Sequence, residues 1–537
     1  MLTAAHIIGI ILTVGLLLAV SILSGRKVKD AKAFTTGGTS GSWMVCGAMM
    51  GTLMGGQSTV GTAQLAFSFG ISAWWFTIGA ALGGVLLAVA YAAPIRRSGC
   101  TTLLQIVARE YGRKTETVGS LLFLIGIFIS IVAQVLSSSA MIGSLFRLPM
   151  LWAAIIAAAL VMLLVLLGGI RSAGAGGIVK LILLYTCSMI AGGVVLYLAG
   201  GLGGIYGSIE STYSQISTLN SQLSTESIHH RYANLLARGP LKDIGGCLSL
   251  MLGVVTTQTY AQCIWSGATT RKARRGALLC SFFIPFIGAA CTLIGMYMRG
   301  HYVTADEFAA LQAAGESLPE GIGILENSAQ AFPTFILNHM SPWLGGIVLG
   351  ALLINILGCA SGLSLGAATI VVRDVTENLR TLIASKMKTT PVHSSPPHSG
   401  LDPESQRSRI KCGMRGEVAQ RAGGVCLSTL TQTRLSIVAI LALAVVSANL
   451  FNGAFINDLG FLSLGLRAVA LLFPLSFALW LPGRFNPRAV LLSMPIGTAA
   501  MLLGKALALP GDPVYYGLLA SLLVILSHRK NRKPTES

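Results

Sequence analysis

The chain has 537 residues, 53% of them apolar and only 11% charged, with 63 glycines and 38 Lys and Arg against 19 Asp and Glu. Its mean hydropathy is +0.73, whereas a soluble domain carries about 25% charged residues. A chain this apolar cannot cover its own surface with polar groups, which excludes a soluble enzyme, a disordered protein and a disulfide scaffold and leaves a polytopic helical membrane protein.

Thirteen apolar segments are long enough to cross a bilayer core: approximately 4–24, 43–67, 71–95, 117–146, 149–170, 175–200, 242–266, 276–299, 343–372, 433–453, 459–482, 487–508 and 513–528. Such a core needs about 20 helical residues. The first segment has no basic stretch before it and is followed by Arg26, Lys27 and Lys29, so it reads as an anchor stopped on the cytoplasmic side rather than a cleaved signal. With the N-terminus outside, 31 of the 38 Lys and Arg fall on the cytoplasmic side, Lys180 counted among them. Five fall outside, and Arg467 and Lys505 lie within spans. That bias predicts a multi-pass protein of the cell membrane, N-terminus outside and C-terminus cytoplasmic, and it assigns the positive charge to loop retention, with no nucleic acid as partner. Two outer loops follow, 201–241 and 300–342; the second is expected to hold a short helix or two. The cytoplasmic loop 373–432 is basic and Pro/Ser-rich, and disorder is expected over about 386–430.

No Walker-type phosphate loop is present, and the run Gly174–Gly177 opens a span, where helix packing explains it better. All 19 acids sit in loops or within a residue or two of a span end, as Asp243, Asp374 and Asp458 do. A proton pump, a redox enzyme and an organic-cation site each need an intramembrane acid, so all three are disfavoured. No His or Cys cluster suggests a metal, a cofactor or an enzyme.

What the interior does contain is interrupted backbone. The second span carries Gly47, Gly51, Gly55 and Gly56, then Gln57, Ser58 and Thr59. Each helix-interior glycine costs about 1 kcal/mol relative to Ala, and a polar cluster at mid-depth adds to that. The expectation is a helix broken near Met54–Gln57, its freed carbonyls facing a protein cavity. Five spans later Gly245, Gly246 and Gly253 precede Thr256-Thr257-Gln258-Thr259, a second interruption. Advancing five spans reverses the direction of crossing. Two halves related by an in-plane two-fold axis, each opening with a discontinuous helix, point to a secondary transporter with its site at the repeat interface. Arg467 lies about 12 Å into its span at 1.5 Å per residue. Two readings stand open for it: it receives a substrate carboxylate in the cavity, or it snorkels outward or caps carbonyls.

Several runs resemble the sodium:solute symporter family. Phe34, Gly37, Trp43, Gly61 and Gly70-Ile-Ser-Ala-Trp74 look like the family's lead into its first core helix. Pro94-Ile-Arg96-Arg97 through Thr101, and Arg109-Glu-Tyr-Gly112, look like its second helix end and the loop after it. Gln258–Gln262, Ala273–Gly276 and Val372–Val375 resemble its sixth-helix exit and the end of its eighth. The resemblance implies an all-α membrane protein with the LeuT-like 5+5 inverted repeat of the APC superfamily, extra N- and C-terminal helices, and about thirteen transmembrane helices.

It divides the chain into a leading helix and loop (1–42), a first repeat (43–200), an outer loop (201–241), a second repeat (242–482) and two further helices with a basic tail (483–537). It implies Na+ as the coupling ion, held where the first and eighth core helices meet. Carried over, the ligand carbonyls fall on Gly51, Met54 and Asn355, and the two hydroxyl positions on Gly358 and Cys359. Here the sequence departs: glycine offers no side chain and a thiol is a soft, poor Na+ ligand, while Asn355 and Ser361, each three residues from Gly358, share its helix face. Substrate-facing positions fall on Gln57, Ser58, Thr257 and Gln258, to which Arg467 is added. The expected function is Na+-coupled import of a small polar solute, an amino acid or organic acid favoured, by alternating access. The rivals are a proton-coupled or uncoupled transporter of the same fold, and a membrane solute sensor.

Overall fold

The computed structural model describes residues 2–27, 40–168, 175–216, 225–372, 429–451 and 453–527. Among the described residues, helix lies within each of the thirteen expected segments. Among the described residues, eight helices are long and apolar enough to cross a membrane, or nine if one bent pair is a single span. The expected disorder over 386–430 lies outside the described residues except for its last two, which open a helix.

In chain order the helices are α1 (Ala4–Lys27), α2 (Ser42–Leu53), α3 (Thr62–Phe69), α4 (Trp75–Leu86), α5 (Ala92–Arg97), α6 (Leu103–Tyr111), α7 (Arg113–Phe146), α8 (Met150–Gly168) and α9 (Ala175–Ala199). Then come α10 (Leu202–Gln215), α11 (Thr225–Ala233), α12 (Pro240–Thr256), α13 (Gln258–Ser266) and α14 (Thr270–Arg299). The rest are α15 (Ala305–Ala313), α16 (Ala331–His339), α17 (Pro342–Ile370), α18 (Thr429–Leu450), α19 (Ile456–Trp480), α20 (Pro487–Ala506) and α21 (Val514–Ser527).

Loop 300–342 holds the short helices expected of it and one unexpected feature: β1 (Tyr302–Thr304) pairs in parallel with β2 (Gly323–Leu325). Parallel strands need a crossover, and α15 is that crossover. It starts with a reciprocal cap in which Thr304 and Glu307 each accept the other's backbone N–H. Loop 201–241 also contributes side chains to the interior. Ile205, Ile209, Tyr213 and Tyr232 are buried, and buried Arg299 donates to the Tyr213 hydroxyl at 2.8 Å and to Glu307 at 2.7 Å.

The core is a bundle in which α12 packs on α4 and α19, α19 on α7, α14 on α3 and α4, and α9 on α2. Two positions show why glycine is required. Gly70 turns the chain from α3 toward α4 at φ +58°, a region where L side chains are strained, and a Cβ there would stand 2.2 Å from the Tyr232 carbonyl oxygen. Gly47 of α2 and Gly177 of α9 meet face to face: a Cβ on Gly177 would lie 2.7 Å from the Gly47 carbonyl oxygen. The glycine run that opens α9 therefore serves close helix packing.

One end of the bundle is latched. Ser40 and Gly267 form a parallel bridge, with Ser40 N–H donating to Ser266 O at 3.0 Å and Ala268 N–H to Ser40 O at 2.9 Å. Arg96, at the end of α5, donates to the carbonyls of Ile264 (2.8 Å), Trp265 (3.1 Å) and Gly267 (2.7 Å), capping α13.

Candidate functional site

Both interruptions lie where the polar clusters place them. Helix α2 stops at Leu53, Met54 is extended (φ −93°, ψ 101°), and the chain resumes as a π-helical turn over Gln57–Gly61 before α3. On the other side α12 stops at Thr256, Thr257 is extended (φ −87°, ψ 123°), and α13 leaves at 50° to α12.

The two breaks are tied to one turn of α7. Gln134 accepts the Gly56 N–H at 2.8 Å. Ser130, four residues earlier and so on the same face, accepts from Arg467 Nη2 at 2.7 Å. Arg467 Nη1 in turn donates to Thr257 Oγ1 at 3.2 Å. Its remaining bonds go to Ser463, to the carbonyl from Nε (3.1 Å) and to the hydroxyl from Nη2 (2.6 Å). The polar series Ser130, Gln134 and Ser137–Ser139 in the fourth span carried a legible signal for this helix; its partners on the broken segments did not.

Arg467 is 2% exposed. It neither snorkels nor meets an acid: the ion pairs among the described residues are Arg238 with Asp243 and Asp458, and Arg299 with Glu307. Four of its five N–H donors are used, leaving one on Nη1. Gln57 is 8% exposed and its Nε2 has no partner. Ser58 bonds back to Gly55 O at 2.9 Å, and Thr257 to Gly253 O at 2.7 Å, each closing its own helix end. Gln258 does not turn to the breaks: its Oε1 accepts the Leu103 N–H at 2.9 Å and its Nε2 donates to Thr101 O at 3.3 Å, holding the start of α6.

At the expected ion position the donors point inward on themselves. The Asn355 amide donates to Met54 O at 2.6 Å, the Cys359 thiol to Thr52 O at 3.2 Å, and the Ser361 hydroxyl to Gly358 O at 2.8 Å. Gly358 is occupied from outside, since a Cβ there would lie 2.2 Å from Lys180 Nζ. Gly51, four residues after Gly47, faces Gly177 and the Lys180 stem, at 3.5 Å and 3.9 Å from its own added Cβ. Asn355 Oδ1 is a buried oxygen without a hydrogen-bond partner, but one such oxygen does not make a Na+ site: the set lacks side-chain hydroxyls aimed at the position, and the cationic head of Lys180 lies against Gly358. Lys180, counted among the loop cations from sequence, belongs to helix α9.

The sodium:solute symporter family profile matches residues 34–392. No curated protein matches the sequence. Among solved structures, a Na+-coupled sialic acid symporter in a substrate-bound outward-open state is similar over 98% of this chain and 97% of its own, with TM-score 0.63 and 14% identity. Mhp1, a nucleobase-cation-symport-1 family transporter in a closed conformation with bromovinylhydantoin bound, is similar over 91% of this chain and 92% of its own, with TM-score 0.50 and 12% identity. At such identities the likeness is one of fold, the LeuT-like inverted repeat with its paired discontinuous helices. Family and fold are those of transporters, and the chain belongs to the sodium:solute symporter family.

Proposed function

We propose that this protein is a secondary active transporter that imports a small polar solute bearing a carboxylate, of the amino acid or organic acid class, by alternating access. The observation that supports this most is Arg467. A buried guanidinium with no acid in reach among the described residues is costly unless something anionic visits it. It sits on the second break through Thr257 and keeps one donor free. A carboxylate would satisfy charge and donor together. Gln57, with an unpartnered buried amide at the first break, would orient the solute's polar end. Ser58 and Thr257 shape the two breaks, and Gln258 supports the loop before α6.

The two repeats, 43–200 and 242–482, would rock about this site, with 1–42 and 483–537 as flanking helices. The Lys and Arg bias supports the latched end as cytoplasmic. Family membership speaks for Na+ as the coupling ion. A second reading, coupling without Na+ at the Gly51–Met54–Asn355–Gly358–Cys359–Ser361 position, is favoured by Lys180 Nζ lying against Gly358.

A thermal-shift screen of the purified protein tests the solute class, with each carboxylic acid paired with its neutral amide, in NaCl and in KCl. A ligand at 100 times its Kd stabilises by about 2.7 kcal/mol. At least one acid is expected to raise the midpoint while its amide does not. A midpoint raised equally by acid and amide, or by amines alone, would defeat the carboxylate reading.

A further inference from the structure

We infer that the ammonium of Lys180 is a tethered cation that takes the place of Na+ between the first break and α17. The inference rests on the transporter reading for its meaning, but the ion count that tests it needs no solute.

The placement follows from helix packing. Gly47 and Gly177 bring α2 and α9 into backbone contact. Lys180 lies three residues beyond Gly177 and Gly51 four beyond Gly47, so both sit one turn further along the same faces. The lysine stem therefore runs past Gly51 in the last turn of α2 and brings Nζ against Gly358 of α17, whose neighbour Cys359 bonds the Thr52 carbonyl at the end of α2. That end of α2 is where carbonyls converge and the helix dipole is negative, so it favours a positive charge. A bare cation can supply that charge, and so can a lysine head.

The neighbours agree with a lysine. Gly358 supplies no side chain, and any Cβ there would stand 2.2 Å from Nζ. The glycine is what leaves room for the ammonium. The carbonyls of Met54 and Thr52 are already met by Asn355 Nδ2 and Cys359 Sγ, which leaves Asn355 Oδ1 as the unpartnered buried side-chain oxygen among the expected ligands, whereas a metal ion demands several oxygens at once. An ammonium needs at most three acceptors. No ion pair among the described residues neutralises Lys180, so its charge is available to the break. A Na+ ion beside it would meet like-charge repulsion in a medium of low dielectric.

The consequence is a transporter of this family whose cation at this position never leaves. Its cycle then draws nothing from the Na+ gradient through this site.

The test counts radiolabelled Na+ bound at saturation by three purified full-length proteins: wild type, the double variant Gly358→Ser, Cys359→Ser, and the triple variant that adds Lys180→Ala. The double variant restores the hydroxyls and keeps the lysine in the chain: a Cβ at position 358 makes the flexible end of Lys180 shift but leaves its charge in the site; the triple variant removes that charge and frees the place. The expected result is the same count for wild type and double variant, and one more Na+ per chain for the triple. A triple variant that is monodisperse and binds no more than wild type overturns the inference, as does a double variant that gains an ion. If the triple variant does not fold, the double variant alone decides: an unchanged count supports the tethered cation, and a gained ion refutes it. Failure of the solute screen alongside an unchanged ion result would strike the carboxylate reading and leave this one standing.

Discussion

Replacing Arg467 with Gln removes a buried charge that has no acidic partner among the described residues. The substitution deletes four hydrogen bonds, to Ser463 O, Ser463 Oγ, Ser130 Oγ and Thr257 Oγ1. A typical intramolecular hydrogen bond contributes about 1 kcal/mol net, so the loss is on the order of 4 kcal/mol. Against it stands relief of a desolvation penalty of several kcal/mol for a buried ion. The two are of similar size, and the unliganded protein is expected to unfold close to the wild-type midpoint. Binding should behave differently. A hydrogen bond to a charged group is worth about 1.5–3 kcal/mol, and each 1.4 kcal/mol is tenfold in affinity. A carboxylate ligand should therefore bind roughly 10- to 100-fold more weakly, while its neutral amide is unaffected. Thermal-shift titration of the acid and amide pair on both proteins reads this directly, and counterflow in liposomes extends it to transport. Equal loss for acid and amide, or a collapse of the unliganded midpoint with carboxylate affinity intact, would refute the reasoning and leave Arg467 as a structural clamp.

Three further outcomes are expected. Gln134→Leu leaves the buried Gly56 N–H without its acceptor; an orphaned buried donor costs about 1–3 kcal/mol, so the unfolding midpoint should fall and solute affinity with it, whereas an unchanged midpoint would mean that α7 does not hold the first break. Gly295→Ala puts a Cβ 2.2 Å from the Ala63 carbonyl oxygen, a backbone atom of α3; overpacking of this kind costs about 1–3 kcal/mol, and an alanine variant as stable as wild type would refute the close approach of α14 to α3. For Glu307, burial opposes ionisation, but adjacent Arg299 and the Thr304 cap outweigh it and hold the carboxyl below its usual value of 4.5. A depressed acid contributes stability above its unfolded pKa and loses it as pH falls through the folded value. Glu307→Gln should thus lower the midpoint at neutral pH, and its gap from wild type should close in scans below about pH 4.5; a gap that widens in acid would contradict the pairing.

The spans and both breaks were legible because their causes are local. A run of glycines inside an apolar segment, followed by amides and hydroxyls, cannot form an undisturbed helix in lipid, whatever surrounds it. Arg467 was legible for the same reason: position in the span already fixes its depth and its cost. Lys180 was not, because its meaning depends on which helix α9 lies against, and charge counting sends a lysine near a span end to the loop. The partners of Gln258 were hidden on similar grounds. Nothing near it in sequence shows that its amide is taken by Thr101 and Leu103, more than 150 positions away. The parallel pair of β1 and β2 also escaped, since three-residue strands leave no periodicity to read.

The latch at Arg96 sets a threshold of its own. One guanidinium holds the carbonyls of Ile264, Trp265 and Gly267, and the Ser40 bridge adds two backbone bonds beside it. Any motion that parts α13 from both α5 and the segment before α2 must break all five hydrogen bonds and hand their polar groups to water. How readily that doorway parts is then governed by hydration at its hinge, a quantity that chain chemistry at Arg96 can tune without touching the residues that grip the cargo.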